Sequence, residues 1–104
     1  LFESEPLRKL KLMAFVLPTL SVSEGDKVAS IVIDRDMFEK TGASREDTEG
    51  LINIPRSIKG VEVAVAFREE EGNGSPLWKI SFRSKGDVDV ARIAERFGGG
   101  GHKK

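Results

Sequence analysis

The stretch "VEVAVAFREEEGNGSPLWKISFRS", residues 61–84, decides the fold. Apolar residues alternate with other residues in both of its halves, and a period of two is typical of half-buried β-strands. The glycines, asparagine and proline between the halves are typical of a turn that joins antiparallel strands. We therefore predict a β-hairpin with strands at 61–69 and 77–84.

The two faces of this hairpin differ in chemistry. One face is apolar and carries Val61, Val63, Val65, Phe67, Trp78, Ile80 and Phe82. The other is small and polar and carries Glu62, Ala64, Ala66, Arg68, Lys79, Ser81 and Arg83. Two interpretations of the polar face stay open: a solvated outer surface, or a shallow floor on which a ligand lies.

The residues before the hairpin predict a helix, a loop and a strand. Residues 5–17 show helical spacing of apolar residues at Leu7, Leu10, Ala14 and Leu17, and Pro18 ends the pattern. Residues 21–27 are polar and predict a loop. Residues 27–34 are apolar on both faces, so this strand is expected near the middle of a helix-covered sheet.

Further helices are predicted on both sides of the hairpin. Residues 35–42 indicate a short helix closed by Gly42. Ser44 and Asp47 have the spacing of a capping box, and we expect the helix that follows to end before Pro55. Residues 87–97 predict a final helix with an apolar stripe. It comprises Val90, Ile93, Ala94 and Phe97.

This order of elements predicts a single α/β domain with a mixed β-sheet and flanking helices. A length of 104 residues suits one domain. Lysine plus arginine and aspartate plus glutamate both total 17, so any anion site must be local rather than a basic surface. There is no cysteine, which excludes disulfides and thiolate metal sites. We expect a cytoplasmic protein without membrane contact.

The C-terminal stretch "RFGGGGHKK", residues 96–104, has two open interpretations. Successive glycine amides can form a concavity that binds an anion, and a histidine beside it can contact a phosphate. A flexible linker or a cloning scar is the simpler alternative.

Together with "SFRSKGDVDVARIAERF" before it, this stretch resembles the DHH-associated domain, the C-terminal domain of the DHH phosphoesterases. The segment "TGASREDTEGLINIPRSIKGVEVAVAFREEEG" is similar to the oligoribonuclease, or nanoRNase and pAp-phosphatase, branch of that family. The resemblance implies a substrate-binding domain at 25–104, truncated at its C-terminus. Residues 1–24 would be a helix and linker from a preceding catalytic domain, in keeping with a first residue that is Leu1.

The resemblance implies that the parent protein is a Mn²⁺-dependent phosphodiesterase. Its substrates would be short oligoribonucleotides, linear or cyclic dinucleotides, or pAp. Two metal ions would lie in a DHH domain of the same chain, so these 104 residues would hold no catalytic residue and no metal. The expected partners are that DHH domain and a short RNA or dinucleotide. The family also leaves room for a homodimer formed through the full-length protein.

The resemblance carries substrate-binding roles onto few positions. They are Arg83, Ser84, Gly98, Gly99, Gly100, Gly101 and His102, with weaker support for Asn53 and Arg56. Arg83 would hold a phosphate through paired hydrogen bonds, which its planar guanidinium can donate. The alternative function is a non-catalytic nucleotide-sensing or RNA-binding module. A third interpretation is a plain interaction domain in which His102 and Arg83 have no binding role.

Overall fold

The computed structural model describes residues 4–23 and 25–85. The predicted final helix at 87–97, the glycines 98–101 and His102 lie outside the described residues. The strands are β1 (Ser21–Ser23), β2 (Val28–Ile33), β3 (Val63–Glu70) and β4 (Leu77–Ser84). The α-helices are α1 (Leu7–Val16), α2 (Arg35–Thr41) and α3 (Asn53–Arg56), and 3-10 helices cover Leu17–Thr19 and Arg45–Thr48.

The four strands form one sheet in the order β1-β2-β3-β4. β1 is antiparallel to β2, β2 is parallel to β3, and β3 is antiparallel to β4. A parallel pair needs a long crossover, and here α2, the 3-10 helix Arg45–Thr48 and α3 provide it. The predicted α/β fold with a mixed sheet, the central strand and the hairpin are therefore confirmed.

One face of the sheet packs against the helices. Ile31 and Ile33 of β2 and Ala66 of β3 meet Leu12 and Val16 of α1. Leu12 and Val16 have no exposed surface, and burying a side chain of this size stabilises the fold by about 1.5–3 kcal/mol. α1 packs into the same core as β2. The division of the chain at residue 24 stays a prediction.

The opposite face of the sheet carries a second apolar cluster. Val28, Val63 and Val65 are buried there, and the aromatic rings of Phe67 and Phe82 pack against them. The apolar hairpin face that the alternation predicts is therefore confirmed over most of its length. Trp78, near the start of β4, is instead 45% exposed.

The predicted apolar stripe of α1 is wrong, because the helix buries a different side. Leu7 is 65% exposed, and Leu10 and Leu17 are also exposed. Leu12 and Val16 lie four residues apart on the buried side. Burial of Leu12 and Val16 in the core sets the rotation of the helix. Arg8, one turn before Leu12, adds a half-exposed ion pair with the crossover.

The predicted helix from residue 44 to Pro55 is also wrong in its extent. The Ser44–Asp47 capping box is present, but it begins only a 3-10 helix that ends at Thr48. Gly50 then has a φ of +86°, which interrupts any helix. α3 contains Pro55 in its first turn, where the missing N–H would have no helical partner in any case.

Two shorter predictions gave mixed outcomes. α2 ends at Gly42, whose φ is +74° and whose N–H donates to the Phe38 carbonyl, so this cap is confirmed. Residues 21–27 are not entirely a loop, because Ser21–Ser23 form the short edge strand β1. Three residues are too few to show an alternating pattern, so no local signal marks this strand.

Candidate functional site

A groove of about 500 Å³ lies between β4 and the turn that follows the 3-10 helix Arg45–Thr48. Its polar lining consists of the cations Arg68, Lys79 and Arg83, the acid Glu49, and the hydroxyl residues Thr48 and Ser81. We call this the cationic groove. Arg68 is paired with Glu70, so Lys79 and Arg83 are the lining cations without a carboxylate partner in the described part of the chain. These two charges favour an anionic ligand.

The pleat of β4 places its polar side chains in this groove. Lys79, Ser81 and Arg83 occur at every second position, so they share one face of the strand. Their partners on β3 are Arg68, Ala66 and Ala64, respectively. Ala66 lines the groove with little exposed surface and Ala64 is fully buried, so the β4 side chains form most of this wall.

The polar face of the hairpin divides into two parts with different surroundings. Ala64 and Ala66 are buried, and Ala66 belongs to the core cluster under the helices. Arg68 and the side chains of β4 instead line the cationic groove. The solvated-surface interpretation is wrong for the alanine end, because helices cover it.

The opposite wall of the groove depends on a glycine turn. The positive φ of Gly50 reverses the chain after the 3-10 helix, and a Cβ there would touch nothing within 4 Å. Glycine is therefore needed for its backbone conformation and not for space. The turn brings Thr48 and Glu49 to the groove. The Thr48 hydroxyl donates to the Arg45 carbonyl at 2.6 Å and accepts from Arg68 Nη1 at 3.3 Å.

Arg83 is the predicted site residue that the structure places in the groove. Its side chain is exposed, and Nη1 donates to the carbonyl of Phe82 at 2.9 Å. It has no carboxylate partner among residues 4–23 and 25–85. Within those ranges, no carboxylate competes with a ligand for the rest of its guanidinium fork.

The other predicted site residues within the described part of the chain lie elsewhere. Ser84 is next to Arg83 on β4 and pairs with Val63, so its side chain belongs to the opposite face of the sheet. Asn53 lines a different cavity, of about 370 Å³, between α1 and α3. Arg56 ends α3 and lines neither cavity. The roles assigned to these residues stay predictions, as do those of the glycines and His102.

The sequence did not single out Arg68, Lys79, Ser81, Thr48 or Glu49 as site residues. A signal existed for the first three, because they share the face of Arg83 at period two. No comparable signal marked Thr48 and Glu49. Their approach to β4 depends on the turn at Gly50, where the sequence pattern predicts a continuous helix.

Arg68 forms an ion pair with Glu70 in which the two charged groups are 2.5 Å apart. The hydrogen bond from Arg68, aided by the positive charges of Arg68, Arg45 and Lys79, lowers the pKa of the Glu70 carboxyl although partial burial acts against it. Arg68 also lines a second cavity, of about 400 Å³, beside Phe38. The Arg68 side chain therefore lies between two cavities, the cationic groove and the cavity beside Phe38.

Two of the three glutamates that follow Arg68 at the end of the hairpin contact the start of α2. Glu69 Oε1 accepts a hydrogen bond from the backbone N–H of Arg35 at 2.9 Å, at the start of α2. Glu71 forms an ion pair with the Arg35 side chain at 3.4 Å. These contacts join the hairpin to the crossover.

A second ion pair fixes the crossover to α1. Asp47 Oδ2 accepts from the Ser44 N–H at 2.9 Å and from Arg8 Nε at 2.7 Å. The Ser44 backbone contact, followed by the Arg8 side chain, lowers the pKa of Asp47. The Asp47 side chain is only 7% exposed, so this contact belongs to the scaffold and not to an open site.

No metal centre is found in the described part of the chain. Residues 4–23 and 25–85 contain no group of three or more histidine, cysteine, aspartate or glutamate side chains that could hold a metal ion. Within the same ranges, no helix has the length and apolar character needed to cross a bilayer.

Comparison with known proteins identifies the family. Residues 25–104 match the DHHA1 domain family. The chain belongs to this family. The predicted resemblance to the DHH-associated domain and its oligoribonuclease branch is confirmed. The described part of this DHHA1 domain includes the cationic groove.

Two curated relatives have the same name, bifunctional oligoribonuclease and PAP phosphatase NrnA. The Bacillus subtilis protein is 33% identical over 102 residues, which are 98% of this chain and 30% of the relative. The Thermus thermophilus protein is 32% identical over 97 residues, which are 93% of this chain and 27% of the relative. The chain thus spans less than a third of the length of these relatives.

A solved structure with a similar fold is the exopolyphosphatase-related protein from Bacteroides fragilis. It superposes on the DHHA1 chain with a TM-score of 0.73 at 31% sequence identity. The match covers 92% of this chain and 27% of that chain.

Proposed function

We propose that this DHHA1 domain binds the nucleotide phosphate of a substrate for a phosphodiesterase. The observation that carries the proposal is the position of Arg83 in the cationic groove, with no carboxylate partner in the described part of the chain. The names of the two curated relatives, which refer to oligoribonuclease and PAP phosphatase activities, support the same chemistry.

The proposed substrates are short oligoribonucleotides, linear or cyclic dinucleotides, and pAp. The domain would bind and orient them, because two parallel hydrogen bonds from a guanidinium fix both the position and the direction of a phosphate. Hydrolysis would occur in a DHH domain of the parent protein. Mn²⁺ ions there would supply the attacking hydroxide and neutralise the phosphate charge.

Correct placement is a large part of what such a reaction requires. A scissile bond that is held in line with its nucleophile reacts much faster than a freely diffusing one, so a binding domain contributes directly to the rate. In this chain Arg83 supplies the charge and the planar donor pair, while Ser81 supplies a hydroxyl group along the groove.

The test is a binding titration of the 104-residue chain with pApA, pAp and cyclic di-AMP. Arg83→Gln is expected to weaken binding at least about tenfold, since hydrogen bonds to charged groups contribute about 1.5–3 kcal/mol. Arg35→Gln is the matched control, because Arg35 is an exposed arginine outside the groove. The proposal fails if the two variants behave alike, or if none of the three ligands binds the wild-type chain.

A second experiment separates catalysis from sensing. In the full-length parent protein with Mn²⁺, Arg83→Gln is expected to lower kcat/KM for these substrates. Binding without any hydrolysis by the full-length protein would instead favour the nucleotide-sensing module.

A further inference from the structure

We propose that the exposed side of α1 docks against the DHH domain of the parent protein. The docking surface consists of Leu7, Leu10, Ala14 and Leu17, and we call these residues the leucine seam. This inference rests on the proposed function only in taking a DHH domain as part of the parent protein. It goes further, because it assigns an interaction surface and a partner to a part of the chain outside the cationic groove.

The leucine seam is a continuous stripe along α1 and the residue that follows it. Its members are three or four residues apart, so they share one side of the helix. Leu7 is 65% exposed, Leu10 41% and Leu17 43%, and Ala14 is exposed as well. Leu12, on the other side of the helix, has no exposed surface. α1 is therefore apolar on two sides, and the described domain buries one of them.

The spacing of the seam indicates what kind of surface it fits. Single exposed leucines are common on proteins, but a continuous apolar stripe marks an interaction site. The intervals of three, four and three residues are those of the a and d positions along which two helices pack side by side. The seam therefore fits a ridge of apolar side chains, such as one face of another helix.

The charges of α1 argue against a second copy of this helix as the occupant. Arg8 and Lys9 form ion pairs within the domain. Lys11, beside the seam, is exposed and forms no ion pair with another described residue. In a pair of α1 helices, each Lys11 would face a helix that has no acidic residue. A different partner, with a carboxylate beside its apolar ridge, would complement Lys11.

The size of the seam favours a partner that is tethered to it. α1 has ten residues, so its side is about 15 Å long and covers on the order of 150 Å², whereas a stable interface buries about 800 Å² on each partner. A domain on the same chain loses less freedom on docking and has a high effective concentration. This chain spans less than a third of each curated relative, so the parent protein is expected to contain such a domain.

Docking on the seam would also orient the cationic groove. α1 and the groove lie on the same face of the sheet, because Ile33 and Ala66 belong both to the core under α1 and to the lining of the groove. A DHH domain on the seam would therefore stand beside the groove. A substrate in the groove would then have a fixed position relative to that domain, which is what catalysis by two separate domains requires.

The test is hydroxyl-radical footprinting, which measures the oxidation rate of individual exposed side chains. The 104-residue chain is compared with the full-length parent protein, both without ligand. Leu7 and Leu10 are expected to react at least about threefold more slowly in the full-length protein, because the core of an interface excludes water. Leu77 is the internal control and should react equally in both proteins, because it is 57% exposed and lies on β4, away from α1.

Leu10→Glu gives a second measurement. A carboxylate in the middle of the seam opposes docking, so Leu7 in the full-length variant should react within about twofold of its rate in the 104-residue chain. Leu77→Glu is the matched control and should leave Leu7 protected. Because Leu10 is exposed, Leu10→Glu should not change the thermal melt of the 104-residue chain.

The outcomes separate the leucine seam from the proposed function. Equal oxidation of Leu7 and Leu10 in the two proteins overturns the docking surface, as does equal slowing at Leu77 or protection that Leu10→Glu does not relieve. Protection that increases with protein concentration also overturns it, because a second copy would then be the occupant. Failure of the wild-type chain to bind nucleotides overturns the proposed function and leaves the seam standing, since the footprint needs no ligand. A parent protein without a DHH domain overturns both.

Discussion

Two regions lie side by side on one face of the sheet: the aliphatic core under α1, and the cationic groove beside β4. In the core, Ile31 and Ile33 of β2 are covered by Leu12 and Val16. In the groove, α1 contributes no residue to the lining, and Arg83 remains exposed. Both regions follow the same alternation of side chains along a strand.

The difference shows that a period of two identifies which residues share a face, but not what covers that face. Coverage depends on where the crossover places its helices, which is a property of the tertiary structure. The comparison predicts two kinds of response. Substitutions in the core should lower the free energy of unfolding, whereas substitutions in the groove should lower affinity for ligands and leave stability nearly unchanged.

The largest effect is expected for Leu12→Ala in the core. Removing a fully buried leucine side chain costs about 2–5 kcal/mol of unfolding free energy, measured by urea denaturation. Leu10→Ala on the same helix is the matched control, because Leu10 is 41% exposed and should change stability by about 0.5 kcal/mol or less. Equal losses in the two variants would contradict the assigned rotation of α1.

A smaller effect is expected for Gly50→Ala at the wall of the groove. The added Cβ meets no neighbour, so the cost comes from the left-handed backbone alone and should be about 1–2 kcal/mol. Glu49→Ala, at the adjacent position with an ordinary φ of −60°, is the control in the same denaturation experiment. A stable Gly50→Ala variant would show that the turn can form without a positive φ.

The third prediction concerns the pH dependence of the scaffold. The Ser44 N–H and Arg8 hold the pKa of Asp47 below its ordinary value of 3.8. The stabilisation by the charged form is therefore complete above that value and is lost as the pH falls through the lowered pKa. Asp47→Asn should remove this part of the acid dependence in thermal melts between about pH 5 and pH 2.

Glu49→Gln is the control for the acid titration, because Glu49 is exposed and makes no ion pair with another described residue. This variant should keep the wild-type loss of stability at low pH. If Asp47→Asn kept it as well, the Arg8 contact would not contribute to folding.

The smallest change in stability is expected for Arg83→Gln in the groove. Arg83 makes a hydrogen bond to a carbonyl of its own strand, and exposed substitutions of this kind usually change the unfolding free energy by less than about 0.5 kcal/mol. Circular dichroism melts of the variant should overlay those of the wild-type chain. A large loss would mean that the reduced ligand binding reflects unfolding and not a lost phosphate contact.

Much of the fold could be predicted from the sequence because strong local patterns agree with the tertiary structure. The hairpin alternates over both strands, β2 is apolar on both faces, and Gly42 closes α2. The place of Arg83 on the polar side of the hairpin could also be predicted, and there it lines the groove, while its binding role stays a prediction.

The errors arose where local patterns were ambiguous. α1 has leucines on two sides, and only its packing against β2 shows which side is buried. The segment after Ser44 has helical spacing, but Gly50 needs a positive φ that the spacing does not reveal. The groove is formed by residues distant in sequence, and no local pattern brings Thr48 to Lys79.

The parallel pairing of β2 with β3 has a consequence for the order of folding. β3 and β4 are neighbours in sequence and can pair through the short turn between them. β2 pairs with β3 only when the whole helical crossover has closed, which carries a greater loss of chain entropy. We therefore expect the hairpin, with all three cations of the groove, to form before β2 joins the sheet. Kinetic φ-values near zero in β3 and β4 would contradict this order.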